Sequence, residues 1–516
     1  MKLRWKILIA LGILLVLVAA SLTLTMHVQP KNELEAYKKM LRAKGEKLEL
    51  AEVLPPPAAP ADNSVQAVEN AFKRFGTNNE NILNAMKMVA PGKAMVGWRQ
   101  PDARGNDFTN SWAEFGAAVE LDRPAIELLH QVLDRPKLDF NLDHNKGSLL
   151  PMTNLMSMRR ASRKLVTAAI WELRNGDGGA AATNILTMLA LVNKSAVEGL
   201  LISHLARLAM TANAVTSTWE LLQATNVTDA QLASVQKGWE QMNFLGDAEI
   251  AILVQRTWAS ALIQRSRGLH KGFMEVFGSV ITTSSPGSSS GGSRDWSDRL
   301  EDLARVPRLA AGEAMWRASG SYADELRSLQ VNEIALETVR AMQTNGSRFY
   351  KPDYDAMSSR LSALGFTNAG SALLDALKIP DFRDYIVDGG LDTAIRRTIQ
   401  LEAARDVVVA AIALKRFEME HARLPGTLAD MTPQFLSSVP IDPYDGKPLK
   451  YRLKEDGTFL LYSVGDDGID GGGDVAPAKP SLGGTSNWYW QRARDWVWPQ
   501  PATPAEVQNY YEQPPE

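Results

Sequence analysis

Cysteine is absent from all 516 residues. That absence removes disulfides, thiolate zinc sites, iron–sulfur clusters and cysteine nucleophiles together. It suits an exported chain, in which an unpaired thiol is a liability, and it also occurs in cytosolic proteins. Histidine is scarce: His27, His130, His144, His204, His270 and His421 are all there are. None falls in a His-Glu-x-x-His pattern or any other metal spacing. A dominant charge is lacking too. With 56 basic and 59 acidic residues the formal net charge is −3, so no overall field draws the chain to nucleic acid or to an anionic surface.

What is present is ordinary in bulk. The chain is 45% apolar and 22% charged, as globular proteins are. Its length implies two or three domains. The N-terminus is more specific. Lys2, Arg4 and Lys6 precede residues 7–28, a run without Asp, Glu, Lys or Arg. As a helix that run spans about 33 Å, enough to cross a bilayer core. Val18-Ala19-Ala20 before Ser21 also suits a cleaved signal peptide. The apolar run continues through Leu22 and Leu24, which favours a retained anchor. The basic start places the N-terminus in the cytoplasm. Lys31, Lys38, Lys39, Arg42, Lys44 and Lys47 follow the span, but long domains cross largely regardless of charge. The expectation is a single pass through a bacterial inner membrane, with the bulk of the chain periplasmic.

Composition divides the remainder. Residues 29–63 hold a charged helix with Leu34, Tyr37 and Leu41 on one face. The run Pro55-Pro56-Pro57-Ala58-Ala59-Pro60 follows, read as a stiff, extended spacer holding the next domain off the membrane. Residues 64–380 read as almost wholly helical. A helix over 161–174 is broken by Asn175-Gly176-Asp177-Gly178-Gly179 and resumes over 180–192 with Ile185, Leu189, Val192 and Ala196 on one side. A third helix carries Leu201, Leu205, Leu208, Ala212, Val215 and Trp219 in one stripe. Such hairpins build bundles or α-solenoid-like stacks. The Asn-Gly-Asp-Gly-Gly turn is similar to those of tetratricopeptide-like repeats, although no fixed period is present. Residues 282–293 are a low-complexity, flexible loop. Its match to the G-x-S-x-G elbow at Gly287–Gly291 lacks the flanking strand and helix that a nucleophile needs.

The texture changes near the end. Residues 391–421 predict a long helix with Ala410, Leu414 and Phe417 on one face, stopped by Arg423-Leu424-Pro425-Gly426. Strands over 449–453 and 458–464 flank Glu455-Asp456-Gly457, a β-hairpin signal. Trp488, Tyr489, Trp490, Trp496 and Trp498 suggest a last aromatic strand on that sheet. Residues 381–498 thus form a second domain, and the Pro- and Glu-rich stretch 499–516 reads as a disordered tail.

The most distinctive stretch lies within that second domain. It runs Asp442-Pro443-Tyr444-Asp445-Gly446-Lys447-Pro448-Leu449, then Tyr451-Arg452, then Leu461-Tyr462-Ser463-Val464-Gly465-Asp466-Asp467-Gly468. Asp466, Asp467, Asp470 and Asp474 are interleaved with glycines over nine residues. Glycines permit the turns that aim several oxygens at one point, as a hard cation requires. The alternative is a solvated loop whose aspartates only favour turns.

Preceded by the long helix and Leu424-Pro425-Gly426-Thr427-Leu428-Ala429-Asp430-Met431, this order resembles the globular end of the major pseudopilins of type II secretion. The resemblance covers about residues 391–474. It implies a long helix, a small three-stranded sheet and a calcium-binding loop after the last motif. Asp467 matches the acidic residue of the family's Gly-x-Asp-Gly, and Asp470 and Asp474 lie where its later carboxylates fall, with different glycine spacing. Asp466 is an extra acid. The N-terminus lacks the prepilin signature, and more than 350 residues separate the apolar span from the long helix.

Other candidates have plainer readings. Asp139, Asp143 and His144 form a polar cluster in an interhelix loop. His204 sits beside an apolar stripe as a core histidine does. Arg159, Arg160, Arg163 and Lys164 are a basic face, and Met152, Met156 and Met158 fill gaps. The fold class expected is therefore mainly α: a transmembrane helix, a helical-hairpin body and a small α+β pseudopilin-like end with a short antiparallel sheet. The function expected is a membrane-anchored interaction or scaffold protein, not an enzyme, whose partner is another protein. Calcium is structural, with no nucleic acid and no small-molecule substrate. The alternatives are an accessory relative of type II secretion or pilus-like machinery, and an enzyme with a site among the helices.

Overall fold

The computed structural model describes residue 13 and residues 28–75, 83–105, 109–144, 153–268, 316–364, 390–476 and 494–512. Over these the chain is mainly helical with small sheets. It opens with α1 (Gln29–Ala43), the single turn α2 (Leu50–Val53) and α3 (Val65–Arg74). Short strands follow: β1 (Lys87–Ala90), β2 (Lys93–Met95), β3 (Ala103–Arg104) and β4 (Thr109–Asn110). The helical body comprises α4 (Trp112–His130), α5 (Thr153–Arg174), α6 (Gly178–Lys194), α7 (Leu201–Leu222), α8 (Asp229–Glu240), α9 (Phe244–Gly268), α10 (Ser321–Thr344), α11 (Lys351–Ala363) and α12 (Leu391–His421). The end holds β5 (Lys450–Leu453), β6 (Phe459–Ser463), β7 (Trp496–Val497), β8 (Gln500–Pro501) and α13 (Pro504–Glu512).

The anticipated hairpin is α5 and α6. Gly176 takes φ 80° in the turn, and Asp177 caps α6 by accepting from Ala180 N at 2.8 Å. Ala161, Ala168, Ala169, Ala181 and Ala182 are buried between these helices and α7, where small side chains let the axes approach. The α12 helix has the expected face, but its burial goes all round. Every residue from Val407 to Leu414 is buried. A helix apolar on all sides belongs inside a body, and α12 packs against α7, α8, α9, α10 and α11. In a solenoid each unit would touch only its neighbours; here one central helix touches five others.

The stretches 64–380 and 381–498, expected as a helical domain and a second domain, meet in shared packing. One contiguous core runs from Val68 to Trp498, and α12 is its axis. Residues 64–380 are also not wholly helical. Pro91-Gly92 turns β1 back onto β2, with Gly92 at φ 68°, and β8 adds to β2 in parallel, giving the order β1-β2-β8. Glu220 of α7 fastens this region. Its carboxylate accepts from Met86 N at 2.8 Å and Gly97 N at 3.0 Å. It is fully buried, and burial pushes its carboxyl up to about 8.

The expectation of a disordered tail from residue 499 does not hold for 499–512. Thr503 and Glu506 form a capping pair, with Thr503 N donating to Glu506 Oε2 at 2.8 Å, and Pro504 opens the helix where its missing N–H costs nothing. Lys93 pairs with Glu506, and Arg104 lies 4.3 Å over the Tyr511 ring. The expected free spacer is corrected too. Leu34 and Leu41 of α1 are buried against Leu329 of α10, and Ala58 N donates to Asp139 at 2.9 Å. The segment lies along the body because its apolar face and its backbone donors find partners there.

The C-terminal sheet has the order β5-β6-β7, all antiparallel. The hairpin β5–β6 stands where the Asp-Gly turn puts it, and β7 contains Trp496. Trp488 to Trp490, the loop 282–293, Met152, His27 and His270 lie outside the described residues. So does the apolar run 7–28, save Ile13 and Val28. Among the described residues no helix is long and apolar enough to cross a membrane.

Candidate functional site

The acidic loop leaves β6 through Gly465. This glycine has φ 72°, and a Cβ on it would lie 2.5 Å from Arg494 O; no other residue fits there. Two further carboxylates organise what surrounds it. Asp442 is fully buried. It accepts from Tyr444 N at 3.1 Å, Ser463 Oγ at 3.0 Å and Val464 N at 2.8 Å. This ties the Asp-Pro-Tyr-Asp-Gly loop to the end of β6. Burial pushes its carboxyl up to about 6 against those three donors. Asp495, also fully buried, accepts from Gly471 N at 3.3 Å and from Gly473 N and Asp474 N at 2.7 Å each. The glycine-rich loop thus wraps its backbone N–H groups round a carboxylate of the chain itself.

The four aspartates of the loop are not brought together. Asp466 accepts from Gln400 Nε2 of α12 at 3.1 Å. Asp467 closes its own turn, accepting from Ile469 N at 2.9 Å. Asp470 accepts from Tyr462 Oη at 2.8 Å and Gly472 N at 3.0 Å. Asp474 accepts from Arg494 at 3.2 Å. In this arrangement they offer no single cation a shared shell, and among the described residues no three His, Asp or Glu groups are placed to hold a metal ion. Asp495 was missed because it lies outside the acidic run and nothing local marks it.

Asp139 and His144 do come together. They line a cavity of about 60 Å³ with Pro55, Pro57 and Glu198, the last of these missed by sequence reasoning. His204 is a core residue as expected: Nε2 lies 2.9 Å from Thr398 Oγ1, and burial draws its imidazole down to about 3, so it stays neutral. The basic run is not one solvated face. Lys164 pairs with Asp122 at 2.7 Å, whereas Arg159 is exposed.

A cleft of about 640 Å³ lies between α1 and α9. Lys38, Lys39 and Arg42 line one wall, Ser260 and Gln264 the other, with Leu329 beneath. An ion-pair clasp holds these walls. Arg256 of α9 is fully buried and pairs with Glu46 and Glu333 at 2.7 Å each. Lys38 reaches the fully buried Glu325 at 2.6 Å, and Arg267 pairs with the same carboxylate. Burial alone would raise Glu325, but Arg267 and Lys38 hold it below the usual carboxylate range. Arg340 pairs with Glu46 at 2.6 Å. The signal for this cluster was present in the sequence. Arg256 is the one charged residue from Ala251 to Ile263, and Glu325 and Glu333 recur on α10. Comparison with family models, curated proteins and solved structures returned no match.

Proposed function

We propose that the chain is a membrane-anchored interaction protein, a helical scaffold held at a bacterial inner membrane by residues 7–28 with its bulk on the periplasmic side. The observation that supports this is the fastening of α1. The helix that begins just after that run is clasped to α9 and α10 by Arg256, Glu46, Glu333, Lys38 and Glu325. A slack tether needs no such clasp. A rigid one transmits the orientation of an anchor to the body, which is what presenting a surface to a partner requires. The partner in this reading is a protein, and the cleft beside α1 is where it binds. Its mixed lining of lysine, arginine, hydroxyl, amide and leucine suits a polypeptide segment.

Reporter fusions behind residue 512, one active only in the periplasm and one only in the cytoplasm, test the topology. Cytoplasmic activity, or full solubility after lysis, would end the reading. A photo-crosslinker at Lys39 in the intact envelope then tests the cleft. A discrete adduct, lost when Ser260 is replaced by a bulky residue, supports it, and crosslinking unaffected by that change counts against it.

A second reading, an accessory relative of type II secretion or pilus-like machinery, has one arrangement in its favour. A 31-residue helix precedes an antiparallel three-stranded sheet and its glycine-rich loop. Calcium belongs to this reading, through Asp466, Asp467, Asp470 and Asp474, which would have to leave their present partners to share an ion. Deletion that leaves secretion intact, together with no co-purification with pseudopilins, would dismiss it.

A further inference from the structure

The leading segment 29–54 is fastened to the body in a way that lets it leave. Of its two helices, α1 buries only Leu34 and Leu41, and α2 buries no side chain. Leu34 and Leu41 meet Leu329 in a small cluster apart from the main core. Leu50, Val53 and Leu54 lie on a second such cluster, Leu200 and Val254. Among the described residues the segment thus shares no apolar packing with the main core, and sparsely packed elements are the first to open. Past Pro55 the chain is tied down again, with Ala58 N donating to Asp139 at 2.9 Å.

The rest of the hold is mostly ionic, and the pairing has a pattern. Lys38 reaches Glu325 at 2.6 Å, while Glu325 keeps Arg267 of α9. Glu46 pairs with Arg256 at 2.7 Å, while Arg256 keeps Glu333 at 2.7 Å. Glu46 also pairs with Arg340 at 2.6 Å, while Arg340 keeps Glu249 at 2.7 Å. Lys44 pairs with Glu337 at 3.2 Å and Glu333 at 3.5 Å; Glu337 keeps Arg360 at 2.7 Å, and Glu333 keeps Arg256. Every body side chain in these pairs has a second partner of opposite charge within the body. Losing one member of a buried pair is costly because it strands the other. Departure of the segment strands none of them. Within the segment Arg42 pairs with Glu49 at 3.3 Å and Glu52 at 2.7 Å, which ties α1 to α2.

We propose that residues 29–54 are a releasable strap, docking and undocking as a unit on a body that stays folded in both states. Docked, the strap holds body and anchor rigidly and supplies Lys38, Lys39 and Arg42 to the cleft. Undocked, it takes that wall of the cleft away. Regulation follows, and this step rests on the reading of the cleft as a partner's site. A partner that binds only the docked state holds the strap closed.

Hydrogen exchange of the full chain, followed by mass spectrometry with no partner present, tests the strap by itself. The amides of α1 are expected to open together, at least about ten-fold more often than those of α7 and α12. They should share one urea dependence, shallower than that of global unfolding. Glu46→Gln should speed α1 by roughly a further ten-fold and leave α7 and α12 unchanged. Exchange of α1 at the rate of α12, graded fraying from residue 29 in place of a common opening, or a Glu46→Gln effect of equal size in α12 overturns the proposal. A common opening of α1 supports the strap even where the Lys39 crosslinker captures nothing, a result that removes only the cleft reading.

Discussion

Replacing Glu220 by glutamine tests the reading of the β1–β2 attachment most sharply. The side chain leaves α7 into a fully buried position, where it receives Met86 N and Gly97 N. Burial moves its carboxyl from an ordinary 4.5 to about 8. The folded state therefore holds this proton more tightly than the unfolded state. Between about pH 4.5 and pH 8 the folded chain binds more protons, so stability falls as pH rises, at up to about 1.4 kcal/mol per pH unit. Above about pH 8 both states are ionised and the loss levels off. Summed over that window the effect is on the order of 3–5 kcal/mol. Glutamine is neutral at every pH and keeps one oxygen for Met86 N. Glu220→Gln should therefore match the wild type within about 1 kcal/mol near pH 5.5 and exceed it by pH 8.5. Denaturant melts followed by circular dichroism at pH 5.5, 7 and 8.5 measure this. Parallel pH slopes for the two proteins, or a variant less stable at every pH, would refute the reasoning.

Three further outcomes follow from other contacts. Asp495→Ala removes the acceptor of three backbone N–H groups and should cost roughly 2–4 kcal/mol, with faster hydrogen exchange confined to 471–474 and the ends of β6 and β7. Arg256→Met leaves Glu46 and Glu333 short of a cation, at a cost of about 3 kcal/mol; adding Glu333→Gln should recover part of it, measured as a double-mutant cycle. Ending the chain after residue 498 strips the acceptor from the buried Trp219 indole, which donates to Pro499 O at 2.8 Å, so the melting temperature should fall although the sequence there looks dispensable.

How much was legible depends on the range of the interaction. The α5–α6 hairpin is local: its turn residues and its stripe sit within thirty-odd residues, and both are where the pattern puts them. The same holds for β5–β6 and for the bounds of α12. The burial of α12 on every side was only half legible: Ala410, Leu414 and Phe417 mark one face, while Arg396, Arg405 and Arg416 interrupt the others. Two of those charges are met by distant partners: Arg405 donates to the carbonyl of Met242, and Arg416 pairs with Asp229. The pairing of β2 with β8 joins residues some 400 apart in the chain, and two- or three-residue strands carry no alternation to detect. The tail misled by composition, although Thr503-Pro504-Ala505-Glu506 is a capping signature. At the acidic loop the residue types were visible and their partners were not. Asp495 lies 21 residues past Asp474, beyond any local rule.

An acid-and-glycine pattern has two opposite physical meanings. Oxygens can converge on a cation, or backbone N–H groups can converge on a carboxylate. This chain uses the second at least three times, with Glu220, Asp442 and Asp495. Each of these acids is fully buried, each has its carboxyl raised by burial, and each accepts at least two donors. A carboxylate is suited to this because its two oxygens accept about four hydrogen bonds, so one side chain satisfies a loop that no strand can pair. Glycine is suited because the donors must come close: a Cβ on Gly471 would lie 2.8 Å from Asp495 Oδ2. These acids are spent inward, on holding loops to the sheets and to α7. The feature with chemistry still to offer is therefore the cleft beside α1, lined by Lys38, Lys39, Arg42, Ser260 and Gln264.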